Sequence, residues 1–146
     1  MKITKVRDVK TPTRGTPSSA GLDFFIPEDY HQKNPIWPNQ SVCIPSGIKA
    51  NVPEGYALVA FNKSGVALKK CLDVGACVVD EDYQGEIHLH LTNVGKEKVY
   101  LSAGDKILQF LLLPVSYDTV EVVDESNLYE AVTVRGDGGF GSTGDS

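Results

Sequence analysis

The end of the chain, from Val134 to Ser146, reads VRGDGGFGSTGDS and combines five glycines with one arginine, one phenylalanine and several hydroxyl groups. Because it has almost no apolar side chain to bury, and glycine loses much conformational freedom when ordered, this stretch is not expected to form core. Backbone amides, a guanidinium and an aromatic ring can wrap a phosphate and stack on a base. We therefore expect Arg135 and Phe140 to contact a ligand with those two parts.

Two other motifs in the same stretch are rejected. Gly136, Gly138 and Gly141 match the spacing of a dinucleotide fingerprint, but that motif needs a following helix and an acidic residue about twenty positions further on. Five residues remain after Gly141, so the match is spurious. Arg135-Gly136-Asp137 also spells an adhesion tripeptide, which three common residues in a flexible tail form easily by chance.

Polar clusters occur where predicted strands begin and end. In AGLD at 20–23, Asp23 follows a glycine at the start of a strand, although carboxylates in this setting are also common in turns. In NKSG at 62–65, a strand gives way to a short helix, so amides, a hydroxyl and an ammonium could converge on an anion. The alternative for Ser64 is that it caps the helix.

Two further clusters lie nearer the C-terminus. VDEDYQG at 79–85 places Tyr83 and several polar side chains between two apolar strands. Strand alternation would direct Asp80 and Asp82 to one face, whereas the simpler alternative is a solvated hairpin. GDKILQ at 104–109 puts Gln109 inside an almost wholly apolar run, where an unpaired amide is costly. Gln109 is therefore expected to have a hydrogen-bond partner.

The elements that must position these clusters are mostly short strands with a period of two. Strands are predicted over 41–48, 56–61, 86–91 and 98–101, separated by turn sequences, with a doubly buried strand over 107–115 and one short helix over 64–70. Short strands at this spacing predict a β-sandwich or barrel. The acidic, polar sequence after Val123 predicts a domain over 1–123 and an arm over 124–146.

Composition limits the class of protein. The chain has 146 residues and a formal charge of -5, which disfavours a general grip on nucleic acid. No apolar run is long enough to span a membrane, and the polar N-terminus lacks a secretory signal, so we expect no membrane partner. Three cysteines without a CxxC pair suit a reduced cytoplasm, the host cytoplasm if the source is viral. Any phosphate contact is expected to be local and assisted by a divalent cation.

Taken in chain order, five clusters resemble the motifs of the trimeric dUTP diphosphatase (dUTPase) family. They are AGLD at 20–23, KSG at 63–65, DVGA at 73–76 leading into VDEDYQG at 79–85, GDKILQ at 104–109, and RGDGGFGSTG at 135–144. One such motif would be weak evidence, but five in this order cover nearly the whole chain. By this resemblance the glycine-rich end is a flexible arm that closes over nucleotide bound between subunits.

The resemblance implies a mostly β fold, a distorted jelly-roll β-barrel with a flexible C-terminal arm. It also implies a homotrimer with active sites at subunit interfaces. The implied reaction is Mg²⁺-assisted hydrolysis of dUTP to dUMP and diphosphate, which limits uracil in DNA and supplies dUMP for thymidylate synthesis.

Residue roles follow from the same resemblance. Asp80 is the catalytic residue, which orients and deprotonates the attacking water, and Asp23 holds Mg²⁺ mainly through metal-bound water. Tyr83 lies beneath the deoxyribose, the main chain from Asp73 to Val79 pairs with the uracil edge, and Phe140 stacks on the base. The implied substrate-binding residues are Lys63, Ser64, Gly65, Asp73, Val74, Gly75, Val79, Tyr83, Lys106, Gln109, Arg135, Phe140, Gly141 and Ser142.

The chain departs from the family pattern at several of these positions. Lys63 and Lys106 stand where the family usually has arginine, which keeps the charge but loses the planar fork that grips two phosphate oxygens. Cys77 stands in place of a glycine near the uracil edge, where its side chain must point away or change the base preference. Asn62 replaces the usual proline before the phosphate motif.

The sequence also allows other roles for two histidines and other functions for the chain. His88 and His90 share one strand face, but no nearby cysteine or acid completes a zinc site. At a three-fold axis their copies would meet and form a contact sensitive to pH or metal. A dCTP deaminase has the same barrel, although Asp80, Tyr83 and Phe140 favour the diphosphatase. A nucleotide-gated regulatory protein with an unknown partner would carry the same motifs.

Overall fold

The computed structural model describes residues 1–142 and 144. In this part of the chain antiparallel strands dominate, so the predicted mostly β class is confirmed. The strands are β1 (Lys2–Lys5), β2 (Leu22–Phe25), β3 (Ser41–Pro45), β4 (Ile48–Asn51), β5 (Tyr56–Asn62), β6 (Leu72–Val74), β7 (Val78–Val79), β8 (His88–Asn93) and β9 (Lys106–Pro114). The helices are α1 (Ser64–Lys70) and a single 3-10 turn (Glu125–Asn127).

These strands form three antiparallel sheets. Strands β1 and β4 make a two-stranded sheet, β3-β8-β6 a three-stranded sheet, and β2-β9-β5-β7 a four-stranded sheet. Strand β9 pairs along its length with β5 and also with β2, so it lies inside the largest sheet. Its residues Ile107, Leu108 and Phe110 are buried, as predicted from the apolar run, while 111–113 are half-buried.

The core draws on all three sheets. Ile48 comes from the two-stranded sheet, Leu89 and Leu91 from the three-stranded sheet, and Phe24 and Phe110 from the four-stranded sheet. The rings of Phe24 and Phe110 lie 4.3 Å apart between centroids. Because alternate residues of a strand point to opposite faces, burial of the leucines of β8 turns its histidines to the other face.

Two of the predicted strands differ from the structure. The predicted strand over 41–48 is two strands, because the chain turns at Ser46 and Gly47, where φ is 75°. The buried Ser46 hydroxyl accepts a hydrogen bond from Ile48 N at 3.1 Å and stabilises this turn. The predicted strand over 98–101 is reduced to one bridge between Ile36 and Val99.

The predicted helix over 64–70 is confirmed. It ends at Lys70, and the next residue, Cys71, has a left-handed conformation with φ 51° and donates its N–H to Ala67 O at 3.1 Å. The capping position is Lys63, in extended conformation, and no side chain caps the helix. The alternative in which Ser64 is the capping residue is therefore wrong.

Asn93, at the end of β8, is fully buried. Its Nδ2 donates to Ile36 O and to Glu97 O, each at 2.8 Å, and its Oδ1 accepts from Gly95 N at 2.9 Å. One amide thus satisfies three backbone groups, two in the turn directly after β8 and one at Ile36. Such complete pairing offsets the cost of burying a polar side chain.

The chain divides into two compact units, Met1–Ser116 and Tyr117–Ser146. The second unit contains the 3-10 turn and a series of tight turns, and the predicted boundary after Val123 falls within it. Thr143, which belongs to the fifth sequence motif, lies outside the described residues. Neither helix in residues 1–142 has the length and apolarity that crossing a bilayer requires.

Candidate active site

Asp23 is the buried polar residue around which the first site is built. It lies in β2 directly opposite Gln109 of β9, and it is 6% exposed. Its neighbours Leu22 and Phe24 pair with Phe110 and Leu108, so apolar packing fixes the strand that carries the carboxylate. Asp23 is therefore a strand residue rather than a solvated turn residue.

Two lysines from other motifs contact this carboxylate. Lys63 Nζ, from the end of β5, pairs with Asp23 Oδ1, and Lys106 Nζ, from the start of β9, lies 3.4 Å from Asp23 Oδ2. The structure thus brings the first, second and fourth sequence motifs together. Two ammonium groups against one carboxylate leave net positive charge, which suits an anionic ligand.

Gln109 has the partner that its apolar surroundings require. Its Nε2 donates to Asn62 O at 2.8 Å. Gly21 lies so close to this side chain that an added Cβ would sit 2.8 Å from Gln109 Cβ. The glycine of the first motif is therefore explained by close approach, because no larger residue leaves room for the glutamine.

Asn62 connects β5 with β6, a role that sequence reasoning missed. Its Oδ1 accepts from Val74 N at 2.9 Å, and its Nδ2 donates to Asp73 Oδ1 at 2.6 Å. The only signal in the sequence was the departure from the usual proline. In this chain the Asn62 side-chain amide fixes the position of Asp73 and Val74.

Ser64 and Gly65 are the first two residues of α1 and are exposed beside Lys63. Both are therefore accessible to a ligand that contacts the two lysines. A Cβ added at Gly65 would meet no atom within 4 Å, so this glycine is not required by packing in the chain itself.

A second cluster surrounds residues 73–79, which we call the hairpin, although β6 pairs with β8 and β7 pairs with β5 in a different sheet. Asp80 and Tyr83 follow β7 and are exposed. Both border a cavity of about 250 Å³, which is lined by Ala76, Cys77, Val78, Val79, Asp80, Tyr83, Ile87, His88 and Phe110. Strand β7 ends at Val79, so alternation does not extend to Asp80 and Asp82, and their predicted shared strand face is wrong.

The Tyr83 ring is held by the turn that contains it. Its hydroxyl donates to Glu86 O at 2.8 Å, and the ring covers Gly85 so closely that an added Cβ would overlap it. The turn therefore orients the ring through one hydrogen bond and one steric contact. Gly85 is the last residue of the third motif, and Glu86 directly follows it.

Glu86 connects this turn to the N-terminal segment, which sequence reasoning also missed. Arg7 donates to both Glu86 carboxylate oxygens, at 2.7 and 3.3 Å, and Gly47 N donates to Oε1 at 2.8 Å. The hydrogen bond from Arg7 lowers the pKa of Glu86, with the Gly47 amide acting in the same direction against desolvation. The same pairing raises the pKa of Arg7.

The two clusters lie apart in one chain. Asp23 is in β2 and Asp80 follows β7, at opposite edges of the sheet ordered β2-β9-β5-β7. Three strand spacings separate these edges, about 14 Å measured along the sheet. The structure therefore brings Asp23, Lys63 and Lys106 together with Gln109, but it does not bring Asp80 to them.

The predicted arm residues belong to the second unit. Arg135 Nε donates to Gly138 O at 2.8 Å, and Ser142 N donates to Gly139 O at 3.0 Å. Phe140 is fully exposed, and Gly141 has φ 88°. These turns leave the aromatic ring accessible, and the role of the arm stays a prediction.

The metal-ligating side chains of the candidate site could hold a magnesium ion in one way. Within residues 1–142 and 144 no group of three or more histidine, cysteine or acidic side chains could hold a metal. Asp23 alone offers one carboxylate. Mg²⁺ usually keeps several waters and binds through one or two carboxylates plus substrate phosphates, so Asp23, whose two oxygens contact Lys63 and Lys106, would hold the ion through water.

Comparisons with known proteins agree with the five motifs. A model of the dUTPase family matches residues 7–144. The Mus musculus protein named deoxyuridine 5'-triphosphate nucleotidohydrolase is 42% identical over 134 residues, which cover 91% of this chain and 77% of that protein. A protein of the same name from Hydrogenobaculum sp. is 38% identical over 145 residues, covering 97% of this chain and 96% of that protein.

The fold is also found among solved structures. A dUTPase variant of Staphylococcus bacteriophage 80alpha, solved with dUpNHpp, superposes with a TM-score of 0.83 at 22% identity, covering 99% of this chain and 98% of that chain. At this identity the likeness shows the fold alone. It supports the jelly-roll-like architecture that the motifs imply.

Proposed function

The chain belongs to the dUTPase family, and from that premise we propose that it hydrolyses dUTP to dUMP and diphosphate. The observation that carries the proposal is the contact of Lys63 and Lys106 with the buried Asp23. Three motifs far apart in the sequence meet at one carboxylate with an excess of positive charge. That arrangement suits a polyphosphate with an accompanying cation.

The phosphate groups are proposed to bind at the first cluster. Lys63, Ser64 and Gln109, together with Arg135 from the arm, stabilise the negative charge that develops on the leaving diphosphate. Asp23 is proposed to hold Mg²⁺ through water. When bound to the triphosphate, that ion neutralises phosphate charge.

The nucleoside is proposed to bind at the second cluster. The main chain of residues 73–79 pairs with the uracil edge, Tyr83 lies beneath the deoxyribose, and Phe140 stacks on the base. Asp80 accepts a proton from the water whose oxygen bonds to the α-phosphorus, while the bond from that phosphorus to the diphosphate breaks. The cavity beside Asp80 and Tyr83 supports this assignment.

Because the two clusters lie at opposite edges of one sheet, we propose that each active site is composed of clusters from different subunits. A homotrimer with three interfacial sites satisfies this requirement. Asp80 of one subunit then faces the lysines of its neighbour. We also propose a cytoplasmic location, which suits the free Cys43, Cys71 and Cys77.

The test is a diphosphate-release assay with each of the deoxynucleoside triphosphates, with and without Mg²⁺. We expect release from dUTP to exceed release from dTTP and dCTP, and to depend on Mg²⁺. Greater release from dCTP or dTTP, or no release at all, would contradict the proposal. The dCTP-directed and regulatory alternatives gain no support from the relatives named above.

A further inference from the structure

The imidazole of His90 contacts the hairpin between β6 and β7. Its Nδ1 lies 2.8 Å from Ala76 N, and the backbone N–H of Ala76 is the donor. The ring nitrogen must then be the acceptor, which requires that Nδ1 carries no proton. The main chain of His90 adds a second bond, because Gly75 N donates to His90 O at 3.0 Å.

Steric contact strengthens this connection. The His90 ring lies directly over Gly75, where an added Cβ would overlap the ring and would come within 3.0 Å of His90 Cγ. Gly75 does not have a positive φ, so its backbone conformation does not require glycine. The ring requires it, because a larger residue would displace either the imidazole or the hairpin.

The opposite side of the hairpin is held by β5. Ala60 N donates to Cys77 O at 2.8 Å, and the Asn62 side chain bonds Val74 N and Asp73. The short strand β7 offers little pairing of its own, since it has two residues. Main-chain and side-chain groups of β5 and β8 therefore fix the peptide groups between Val74 and Cys77.

We propose that His90 is a positioning residue for base recognition, which it controls by fixing the Ala76 peptide in the hairpin. The inference rests on the proposed function, in which this hairpin reads the uracil edge. A hairpin that recognises a base through main-chain groups depends on the orientation of each peptide. His90 would then set the fit between hairpin and base without touching the substrate.

Three variants test the inference. His90→Phe keeps a ring over Gly75 but removes the acceptor, and His90→Asn removes the ring but retains an acceptor close to the position of Nδ1. Thr92→Val is the matched control on the same face of β8. Each is assayed for kcat and KM with dUTP and with dTTP, and for hydrogen exchange of the Ala76 amide.

We expect His90→Phe to raise KM for dUTP by roughly 3- to 10-fold and to reduce the preference for dUTP over dTTP, with kcat nearly unchanged. An interaction equal in ground state and transition state affects KM rather than kcat. The Ala76 amide should exchange faster in this variant. In His90→Asn, KM for dUTP and the Ala76 exchange rate should lie close to those of the unsubstituted protein. Thr92→Val should match the unsubstituted protein in both.

Two outcomes would overturn the inference. One is an unchanged KM for dUTP and an unchanged Ala76 exchange rate in His90→Phe. The other is a defect in His90→Asn as large as that in His90→Phe, which would show that a retained acceptor does not restore the position of the Ala76 peptide. If the unsubstituted protein releases no diphosphate from dUTP, the proposed function is refuted. The role of His90 in base recognition is then refuted as well. The Ala76 exchange rates would still decide separately whether the His90 acceptor fixes the hairpin.

Discussion

Two carboxylates of the candidate site lie in opposite environments. Asp23 is buried and paired with two lysines, whereas Asp80 is exposed at the start of a turn. Both oxygens of Asp23 contact lysine ammonium groups, whereas Asp80 borders the cavity beside Tyr83. The environments therefore favour Asp80 as the base and Asp23 as a residue that organises charge.

The first prediction concerns Asp80. Replacing Asp80 with asparagine should lower kcat for dUTP by roughly 100-fold or more, the usual scale for a general base, because the amide cannot accept the proton of the attacking water. Binding should be nearly unchanged, since the lysine cluster is untouched. Single-turnover rates and calorimetric titration with a non-hydrolysable analogue measure the two effects.

The matched control is Asp82→Asn, which changes an acidic residue in the same turn. It should retain turnover close to that of the unsubstituted protein. Full activity in Asp80→Asn would refute the assignment of the base.

The sequence identifies the candidate site residues better than it identifies the residues that contact them. Asp23, Lys63 and Gln109 were identified by type and motif, and the need of Gln109 for a partner followed from its apolar surroundings. The partner itself, Asn62 O, depends on strand register, which a single sequence does not contain. Glu86 and His90 were missed as positioning residues for the same reason, since their contacts join distant segments.

Among the elements, the turn after β7 depends on an ion pair. Arg7 and the Gly47 amide both donate to Glu86, whose own main chain accepts from the Tyr83 hydroxyl. The N-terminal segment therefore stabilises the turn that presents Tyr83. Charge-assisted, two-point hydrogen bonds of this kind are the stronger ones.

The second prediction is a pH dependence of this contact. The pKa of Glu86 is lowered in the folded chain from an ordinary value of 4.5. Its contribution to stability is therefore fully present above about pH 4.5 and is lost as the pH falls through the lowered value. The free energy of unfolding should fall less steeply with acid in Glu86→Gln than in the unsubstituted protein.

Denaturant unfolding followed by tyrosine and tryptophan fluorescence between pH 7 and pH 3 measures the difference. Glu97→Gln is a suitable control, because Glu97 is exposed and contributes only its main-chain carbonyl to a hydrogen bond. Parallel pH profiles for the unsubstituted protein and Glu86→Gln would show that the ion pair adds no stability.

The third prediction concerns the arm. Truncation before Arg135 should leave a folded protein with turnover reduced by roughly 100-fold or more, because Arg135 and Phe140 supply phosphate charge and a stacking ring only after closure. The described arm residues are exposed except for the half-buried Gly138 and Gly139, and none belongs to the core, so stability should not change. Circular dichroism, size-exclusion chromatography and kcat measure fold, assembly and turnover.

A truncated protein that unfolds or dissociates would assign the arm a structural role instead. A full-length Phe140→Leu variant separates stacking from closure, since it keeps the chain length and loses only the ring. It should raise KM for dUTP more than it lowers kcat.

The elements themselves were predictable where local signals agree. Strand β9 is an almost wholly apolar run and helix α1 is a short segment that follows a strand, and the sequence predicts the bounds of both to within one residue. The stretch 98–101 has the alternation of a strand, yet only Val99 finds a bridging partner. Whether an alternating segment becomes a strand depends on a neighbour, which local sequence does not specify.

At the scale of the whole molecule, the separation of the two clusters constrains assembly. Asp80 and the lysine pair at Asp23 are held at opposite edges of a sheet whose central strands are fully paired. Bringing them together within one chain would require breaking that sheet. In the proposed trimer, clusters from neighbouring subunits would meet without any change in that sheet.

The fourth prediction follows from the proposal that each active site combines residues of two subunits. Asp80→Asn and Asp23→Asn proteins should each be nearly inactive, but trimers that contain both should regain activity. In random trimers formed from equal amounts, about one quarter of the sites combine an intact Asp23 with an intact Asp80 from another subunit. Coexpression with two affinity tags, followed by the diphosphate-release assay, measures the recovery.

Mixing the two separately purified proteins without subunit exchange is the control and should give no recovery. Coexpressed trimers that remain as inactive as the single variants would place both carboxylates of each site in one chain, contrary to the proposed trimer.

The buried Asn93 amide has a consequence for which substitutions the protein can tolerate. Its Nδ2 faces the carbonyls of Ile36 and Glu97. Aspartate has nearly the same shape, but at this position it would turn a carboxylate oxygen toward two carbonyl oxygens and bury an unpaired charge. The exchange of asparagine for aspartate, which is usually conservative, should therefore destabilise the fold at this position. Spontaneous deamidation makes the same change, so it would lead to loss of the folded protein during ageing.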